Sequence, residues 1–404
     1  MSEKKYDCII IGGGISGISF AHYLHIAGKN VLILEKESKV GGQVQSIFSQ
    51  TNAHYWRELG AHTCYNSYTH LLSILKDING TEAIQSLGKG SYVLYSGGKI
   101  KKMFSEVSII PMMFNGLRMF SLAKTGKTVK EYFSKIVGIG NYNRLFSRLF
   151  RAVICQNADN YPAELFLKHR RDRYKEFPRK YSFKEGISSF LDTIIEKDSL
   201  KVKVSSEVID IQENLSSGYD VITSDNKVYH ASNVAFAANP DTTATLLREI
   251  EPSLYLLLAS IPSFYSESLN VMVSKDKLDI DNVAGIIPVS DDFMSAVSRD
   301  LIEDENLRSF TFHFEKGKKS EKEKLDIVCN VLNITENDII ESKIIQHTLP
   351  ALGIQHLDMA GQIEKGRVRD GIYVLGNYFY GLSLEDCIHR SKDEFDRFLM
   401  KNMS

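Results

Sequence analysis

The stretch from Asp7 to Glu35 constrains this chain most. Asp7-Cys8-Ile9-Ile10-Ile11 reads as a buried strand, Gly12-Gly13-Gly14-Ile15-Ser16-Gly17 as a tight turn entering a helix, and Val31-Leu32-Ile33-Leu34-Glu35 as a second strand ending in an acid. Gly12, Gly14 and Gly17 have the GxGxxG spacing, and Glu35 follows Gly17 by eighteen positions. The first glycine permits the turn, the second lets a pyrophosphate approach the main chain, and the third lets the helix pack closely on the strand. The helix start then offers free N–H groups and the positive end of its dipole to a phosphate. Glu35 is placed to accept hydrogen bonds from an adenosine ribose. A lone glycine fingerprint is weak evidence, but one flanked by both strands, the helix and the acid predicts an adenine-dinucleotide site.

Length and charge narrow the rest. At 404 residues the chain can form two or three domains, or one large domain carrying an insertion. A formal net charge of −1 gives no global attraction to nucleic acid or to an anionic membrane. The five cysteines (Cys8, Cys64, Cys155, Cys329, Cys387) are scattered, without a CxxC pair, which argues for reduced thiols and against a zinc site or a disulfide framework. With no signal-peptide pattern and no run of eighteen apolar residues, a cytoplasmic location is expected.

Three separated pieces have the character of one parallel sheet. After the first unit, Lys201–Ile211 alternates as a strand, Tyr219–Thr223 and Lys227–His230 read as a hairpin, and Val234–Ala238 as a short apolar strand. Gly371–Leu375 is again apolar and precedes a closing helix from about Leu384 to Lys401. Between them, one insert holds a hairpin at Tyr92–Lys99 and helices rich in Phe, Met and Arg. The other holds strands at Asn270–Ser274 and Arg308–Phe314 and a charged helix near 318–332, with Lys316–Lys324 read as its solvated start. The expected class is α/β: a discontinuous Rossmann-type dinucleotide domain (1–75, 185–250 and 346–404) with an inserted α+β substrate domain (76–184 and 251–345).

Residues beyond Glu35 select the dinucleotide. Gly41-Gly42-Gln43 puts a glycine pair just past the ribose acid, which allows a second approach of the chain to pyrophosphate and flavin, and Glu58-Leu59-Gly60-Ala61-His62 offers another small-residue approach. This favours FAD over NAD. With the closing segment Tyr373-Val374-Leu375-Gly376-Asn377-Tyr378-Phe379-Tyr380-Gly381-Leu382-Ser383-Leu384-Glu385-Asp386-Cys387-Ile388, the chain resembles the FAD-dependent amine oxidase superfamily and, within it, the protoporphyrinogen oxidase-like branch. Tyr95–Lys99, Thr128–Phe133 and Phe183–Ile187 fall in the family's order, so the resemblance spans nearly the whole chain. Gln43 stands where the family usually has an arginine.

The resemblance implies that FAD binds non-covalently against Gly12, Gly14, Ile15, Ser16, Gly17, Glu35, Lys36, Gly42, Gln43, Gly60, Ala61, His62, Val208, Gly376, Asn377 and Leu384. Val208 matches the position whose backbone meets adenine. Gly376 and Asn377 match the pair at the ribityl chain and phosphate. His347, ahead of Pro350, lies in a segment the family brings towards the cofactor. The implied reaction is oxidation of a small amine-type or cyclic molecule at a C–H bond next to nitrogen, with hydride passing to flavin N5 and oxygen as acceptor. No residue is singled out as catalytic acid or base. The alternatives are a non-redox flavoenzyme resembling sugar-ring mutases, and a membrane- or partner-binding protein with structural FAD.

Other features have plainer readings. His22 and His25 are three apart on the first helix but lack a third ligand, so they read as surface or cap residues rather than a metal pair. Arg144, Arg148, Arg151 and His169–Arg173 read as solvated cations, with a carboxylate-bearing substrate as the alternative and no fold for nucleic acid beside them. The apolar stretch Ser108–Lys127, edged by Lys101, Lys102, Arg118, Lys124 and Lys127, suits either a peripheral membrane contact or a self-contained helical subdomain. The sequence leaves the oligomeric state open.

Overall fold

The computed structural model describes residues 5–116, 122–214 and 218–402. Two large sheets organise it. In the first, the strands run Lys201–Lys203, Val31–Leu34, Tyr6–Ile11 and Val228–Phe236, all parallel. The last of these is shared on its far side: its end pairs in parallel with Ile372–Val374, and its start pairs antiparallel with Tyr219–Thr223, which continues to Val208–Glu213. Ile9 and Ile10 are fully buried and Ile11 nearly so, because helices cover both faces of this sheet. The helix Ile15–Ile26 packs on one face together with the closing helix Leu384–Asn402.

The second sheet carries the strand order Ile339–Pro350, Ser263–Ser274, Leu307–Glu315, Ser295–Ser298, Gly285–Pro288, Tyr92–Ser96, Lys99–Lys102. It is antiparallel except where Gly285–Pro288 runs beside Tyr92–Ser96. The hairpin at 92–102 turns on Gly97 and Gly98, both at positive φ (60° and 72°), the two-residue turn that matches strand twist. The helix Glu321–Leu332 buries Val328, Val331 and Leu332 against this sheet's Leu269, Val271 and Phe310. Ser320 caps it, accepting from the Glu323 N–H while Glu323 reaches back to the Ser320 N–H.

Several elements differ from the sequence expectation. Lys201–Ile211 is two strands: Ser205 sits at φ 49°, and the N–H groups of Ser205 and Ser206 turn aside to the carbonyls of Glu37 and Glu35. Conversely, Lys227–His230 and Val234–Ala238 are parts of one strand, Val228–Phe236. His22 is a core residue, with Nδ1 2.7 Å from Asp198 and Nε2 3.6 Å from Asp77, tying its helix to two neighbours. Lys324 is buried and ion-paired with Glu267, so only part of the 316–324 run is solvated. Arg170 bonds Ser383 and Asp386, and Arg151 pairs with Asp291.

The helix Ile109–Gly116 exposes Ile109 (69%), Ile110 (69%), Met113 (72%) and Phe114 (80%). Leu117, Arg118, Met119 and Phe120 of the apolar stretch lie outside the described residues. No helix among the described residues is long and apolar enough to cross a membrane.

Candidate active site

The carboxyl ends of the three central parallel strands meet at one edge, where Gly12, Ala237 and Gly376 follow Ile11, Phe236 and Val374 closely. A ligand in an open parallel sheet sits outside such an edge. Gly12 has φ 107°, and a Cβ there would lie 2.6 Å from the Ala237 carbonyl oxygen. A Cβ on Gly17 would lie 2.1 Å from the Gly12 oxygen, so that glycine sets the helix-to-strand approach.

Gly14 and Gly42 behave differently. A Cβ on Gly14 meets nothing nearer than Gly41 O and Gly42 Cα at 3.9 Å, and one on Gly42 meets only Gly14 Cα at 3.4 Å. The two glycines face each other and keep an uncrowded cradle that the protein's own packing does not fill. The helix behind it starts at Ile15 with Gly14 as N-cap, no side-chain cap and no acid in its first turn. The backbone N–H groups at Ile15 and Ser16 therefore belong to the set that an anion satisfies. The buried Glu35 is held by two backbone donors, Gly13 N–H at 2.6 Å and Glu37 N–H at 2.9 Å, and each oxygen keeps a lone pair for a ribose hydroxyl. Val208 opens its strand two residues after Ser206, whose N–H bonds the Glu35 carbonyl. The Lys36 side chain is 61% exposed, with its ammonium 3.7 Å from the Glu37 carboxylate. These features fit an adenine dinucleotide.

The loops that follow close on one another. A Cβ on Gly60 would lie 2.1 Å from the Gln43 carbonyl oxygen, so the two strands of chain touch. His347 bridges them: Nε2 donates to the Leu59 carbonyl at 2.9 Å, and Nδ1 lies 2.6 Å from Gln43 Oε1, while Gln43 Nε2 donates to the Thr348 carbonyl at 3.3 Å. Burial lowers the His347 pKa, and the bond to the Leu59 carbonyl works against that shift. Leu384 is buried at the start of the closing helix, and Glu385 beside it accepts from the N–H groups of His70 and Leu71. Gly376 has φ 140° and packs on the Tyr378 ring, while Asn377 beside it is half-buried.

Beyond these loops a cleft opens between residues 56–65 and the second sheet. Glu58, His62, Thr311, Arg299 and Lys180 are its main polar lining, and Trp56, Tyr65 and Tyr92 its aromatic walls. Thr311 Oγ1 donates to the Glu58 carbonyl at 2.7 Å and fixes the loop to the sheet. The Glu58 carboxyl accepts from Ile187 N–H and from the Ser46 hydroxyl, both at 2.7 Å. Desolvation outweighs those bonds and pushes its pKa up to about 8. Burial pulls His62 down to about 4, so both groups are neutral at pH 7. Ala61, between them in the chain, packs against the core beneath.

The raised Glu58 pKa has a stability consequence. Folding makes this carboxyl bind a proton between its unfolded range near 4.5 and its folded value near 8, so its contribution is full at low pH and falls across that window as pH rises. Glu58→Gln is expected to remove this term. Urea unfolding at pH 5 and pH 8 should show the native protein losing several kcal/mol relative to the variant; parallel pH profiles would contradict the assignment.

The structure places Gly12, Gly14, Gly17, Glu35, Gly42, Gly376 and Asn377 at or near this edge, and Gln43, Gly60, Ala61 and His62 in the loops beside it. Arg299, Thr311 and Tyr92 line the cleft without a motif to mark them.

Comparison with known proteins adds the decisive observation. The family model described as flavin containing amine oxidoreductase matches residues 15–273. The chain belongs to that family. The chain is 35% identical over 99 residues to the flavin-containing amine oxidase of Danio rerio, covering 24% of this chain and 18% of that protein. It aligns with less than a quarter of the length of the first curated relatives it matches. Among solved structures, it is similar to a protein assigned as a protoporphyrinogen oxidase from Exiguobacterium sp. 255-15, with a TM-score of 0.77 and 14% identity, covering 99% of this chain and 100% of that one. The cyclohexylamine oxidase from Brevibacterium oxydans gives 0.73 and 13%, at 99% and 100% coverage. At such identities these two share the fold. The family's cofactor is FAD, and the Gly14–Gly42 cradle and the anchored Glu35 fit it.

Proposed function

We propose that this chain is an FAD-dependent oxidoreductase that oxidises a small amine-type or cyclic molecule at a C–H bond, next to nitrogen. The carrying observation is that one run of chain, 56–65, both borders the dinucleotide edge through Gly60 and lines the cleft through Glu58 and His62. Bound non-covalently, FAD would supply the two-electron acceptor for the hydride of that C–H bond, with dioxygen as the terminal acceptor. The protein's share is placement and dryness. Gly12, Gly14, Gly17, Glu35 and Gly42 hold the nucleotide end; Gln43, Gly60, Gly376 and Asn377 border the flavin end. Glu58 and His62, both uncharged, present a desolvated wall in which a C–H bond reacts without competing water.

Purified protein is expected to be yellow, and anaerobic titration with a panel of amines and porphyrinogens should bleach the flavin band near about 450 nm. Colourless protein, or a yellow one bleached by no member of the panel, would count against the reading. Glu35→Ala removes the ribose acceptor, and losing hydrogen bonds to a charged group should weaken FAD by about 10–100-fold. Unchanged affinity in equilibrium dialysis would remove Glu35 from the site.

A further inference from the structure

We infer that the cleft receives an apolar substrate bearing a carboxylate, and that Arg299 binds that carboxylate. The inference rests on the flavoenzyme reading above and names the substrate class of the same site.

Arg299 differs from the other arginines built into this region. Arg308 is neutralised by both oxygens of Asp300, and Arg57 is paired with Glu341 and bonded to Asn270. Arg299, half-buried on the cleft wall, makes no ion pair among the described residues. Its guanidinium lies over the rings of Tyr55 (4.2 Å) and Trp56 (4.8 Å), one Nη donates to the Ile302 carbonyl, and the buried Nε has no partner. Two aromatic faces fix its plane and keep it from swinging out to water. A desolvated guanidinium with an unspent donor is costly unless an anion meets it.

No acid among the described residues is ion-paired with Arg299. Asp300 is spent on Arg308 and Val283 N–H, and Asp304, whose Oδ1 accepts from the N–H groups of Asn306 and Leu307, supports the Arg299 charge only from a distance. Glu58, across the cleft, is neutral at pH 7. Lys180 adds a second cation at the exposed rim, also without an ion pair among the described residues. A protonated amine entering here would face two cations and no carboxylate. A carboxylate would gain a planar, two-pronged donor. The remaining wall, from Leu87, Ala284, Val297 and Leu301 to the ring of Tyr92, suits an apolar body. The nitrogen of the substrate then enters uncharged.

Trp56 is the chain's only tryptophan and lines this cleft, so its fluorescence reports binding independently of flavin chemistry. The test titrates the holoprotein with 3-cyclohexylpropionate and with 3-cyclohexylpropylamine, equal in body and opposite in charge. The acid is expected to bind at least about tenfold more tightly, the scale of one charge-assisted hydrogen-bonded contact. Arg299→Gln should erase the preference and Arg299→Lys should retain part of it, with flavin content and melting temperature checking that both variants fold. Equal or tighter binding of the amine, no binding of the acid at millimolar concentration, or an undiminished preference in Arg299→Gln would overturn the inference. Absence of flavin from the purified protein would instead overturn the cofactor reading, while the Trp56 titration still reads the cleft.

Discussion

Gly14→Val is expected to give a folded protein that has lost its yellow colour. Gly14 is the glycine of the fingerprint that the fold itself does not need. Its backbone is extended (φ −84°, ψ −177°), a conformation that valine adopts readily, and the nearest atoms to an added Cβ are 3.9 Å away. Gly12 and Gly17 offer no such separation, because a Cβ at either collides with backbone at 2.6 or 2.1 Å, so loss of cofactor there would be indistinguishable from misfolding. At Gly14 the added methyl groups enter the cradle shared with Gly42, in the path of the pyrophosphate. FAD affinity should fall by more than about 100-fold, since the phosphates can no longer reach the helix N–H groups. Stability of the cofactor-free variant should stay within about 0.5 kcal/mol of the cofactor-free native chain, the range of substitutions that break no packing. Flavin absorbance per mole of protein and urea unfolding of both stripped proteins check the two halves of the expectation. A variant purifying with full colour would sink the pyrophosphate assignment.

The legible part of this molecule was the part whose physics is local. Strand, turn, helix and acid from Tyr6 to Glu35 announce themselves through hydrophobic runs and glycine spacing, and the closing strand and helix do so likewise. The Gly97-Gly98 turn is equally local. What the sequence hid depends on partners far along the chain. Lys324 looks solvated within its charge run, yet Glu267, 57 residues away, holds it inside. His22 looks like a surface residue on a helix until Asp198 arrives from 176 residues on. The cleft is hidden for the same reason: Thr311 meets the Glu58 carbonyl across 253 residues, and Arg299 acquires meaning only when the rings of Tyr55 and Trp56 are laid beneath it. The split of Lys201–Ile211 shows a subtler failure. Alternating residues continue through Ser205, but tertiary bonds to the Glu35 and Glu37 carbonyls break the strand, and its two halves join opposite edges of the first sheet.

Asp300→Ala should destabilise the protein by about 3–5 kcal/mol, the cost of breaking a buried ion pair from one side. Asp300 accepts Arg308 Nε at 3.0 Å and Nη2 at 2.5 Å, and also the Val283 N–H at 3.0 Å. The two side chains are 1% and 5% exposed. With the carboxylate gone, Arg308 keeps only the carbonyls of Ile280 and Asp281, and its charge stays in a desolvated site. Replacing both partners separates the pair's net worth from the penalty of orphaning one charge. An Asp300→Leu, Arg308→Met double variant should recover part of the loss, because well-packed apolar side chains can substitute for a buried pair while the Val283 N–H stays unpaired in both variants. Urea unfolding of the three proteins measures this, and a single-variant loss below about 1 kcal/mol would mean that water reaches the guanidinium. The pair also anchors the chain segment on which Arg299 stands, immediately after the strand Ser295–Ser298. Asp300→Ala should therefore weaken binding of an anionic probe in the cleft even under conditions where the chain stays folded, whereas the double variant, with its backbone held by packing, should bind the probe more nearly as the native protein does.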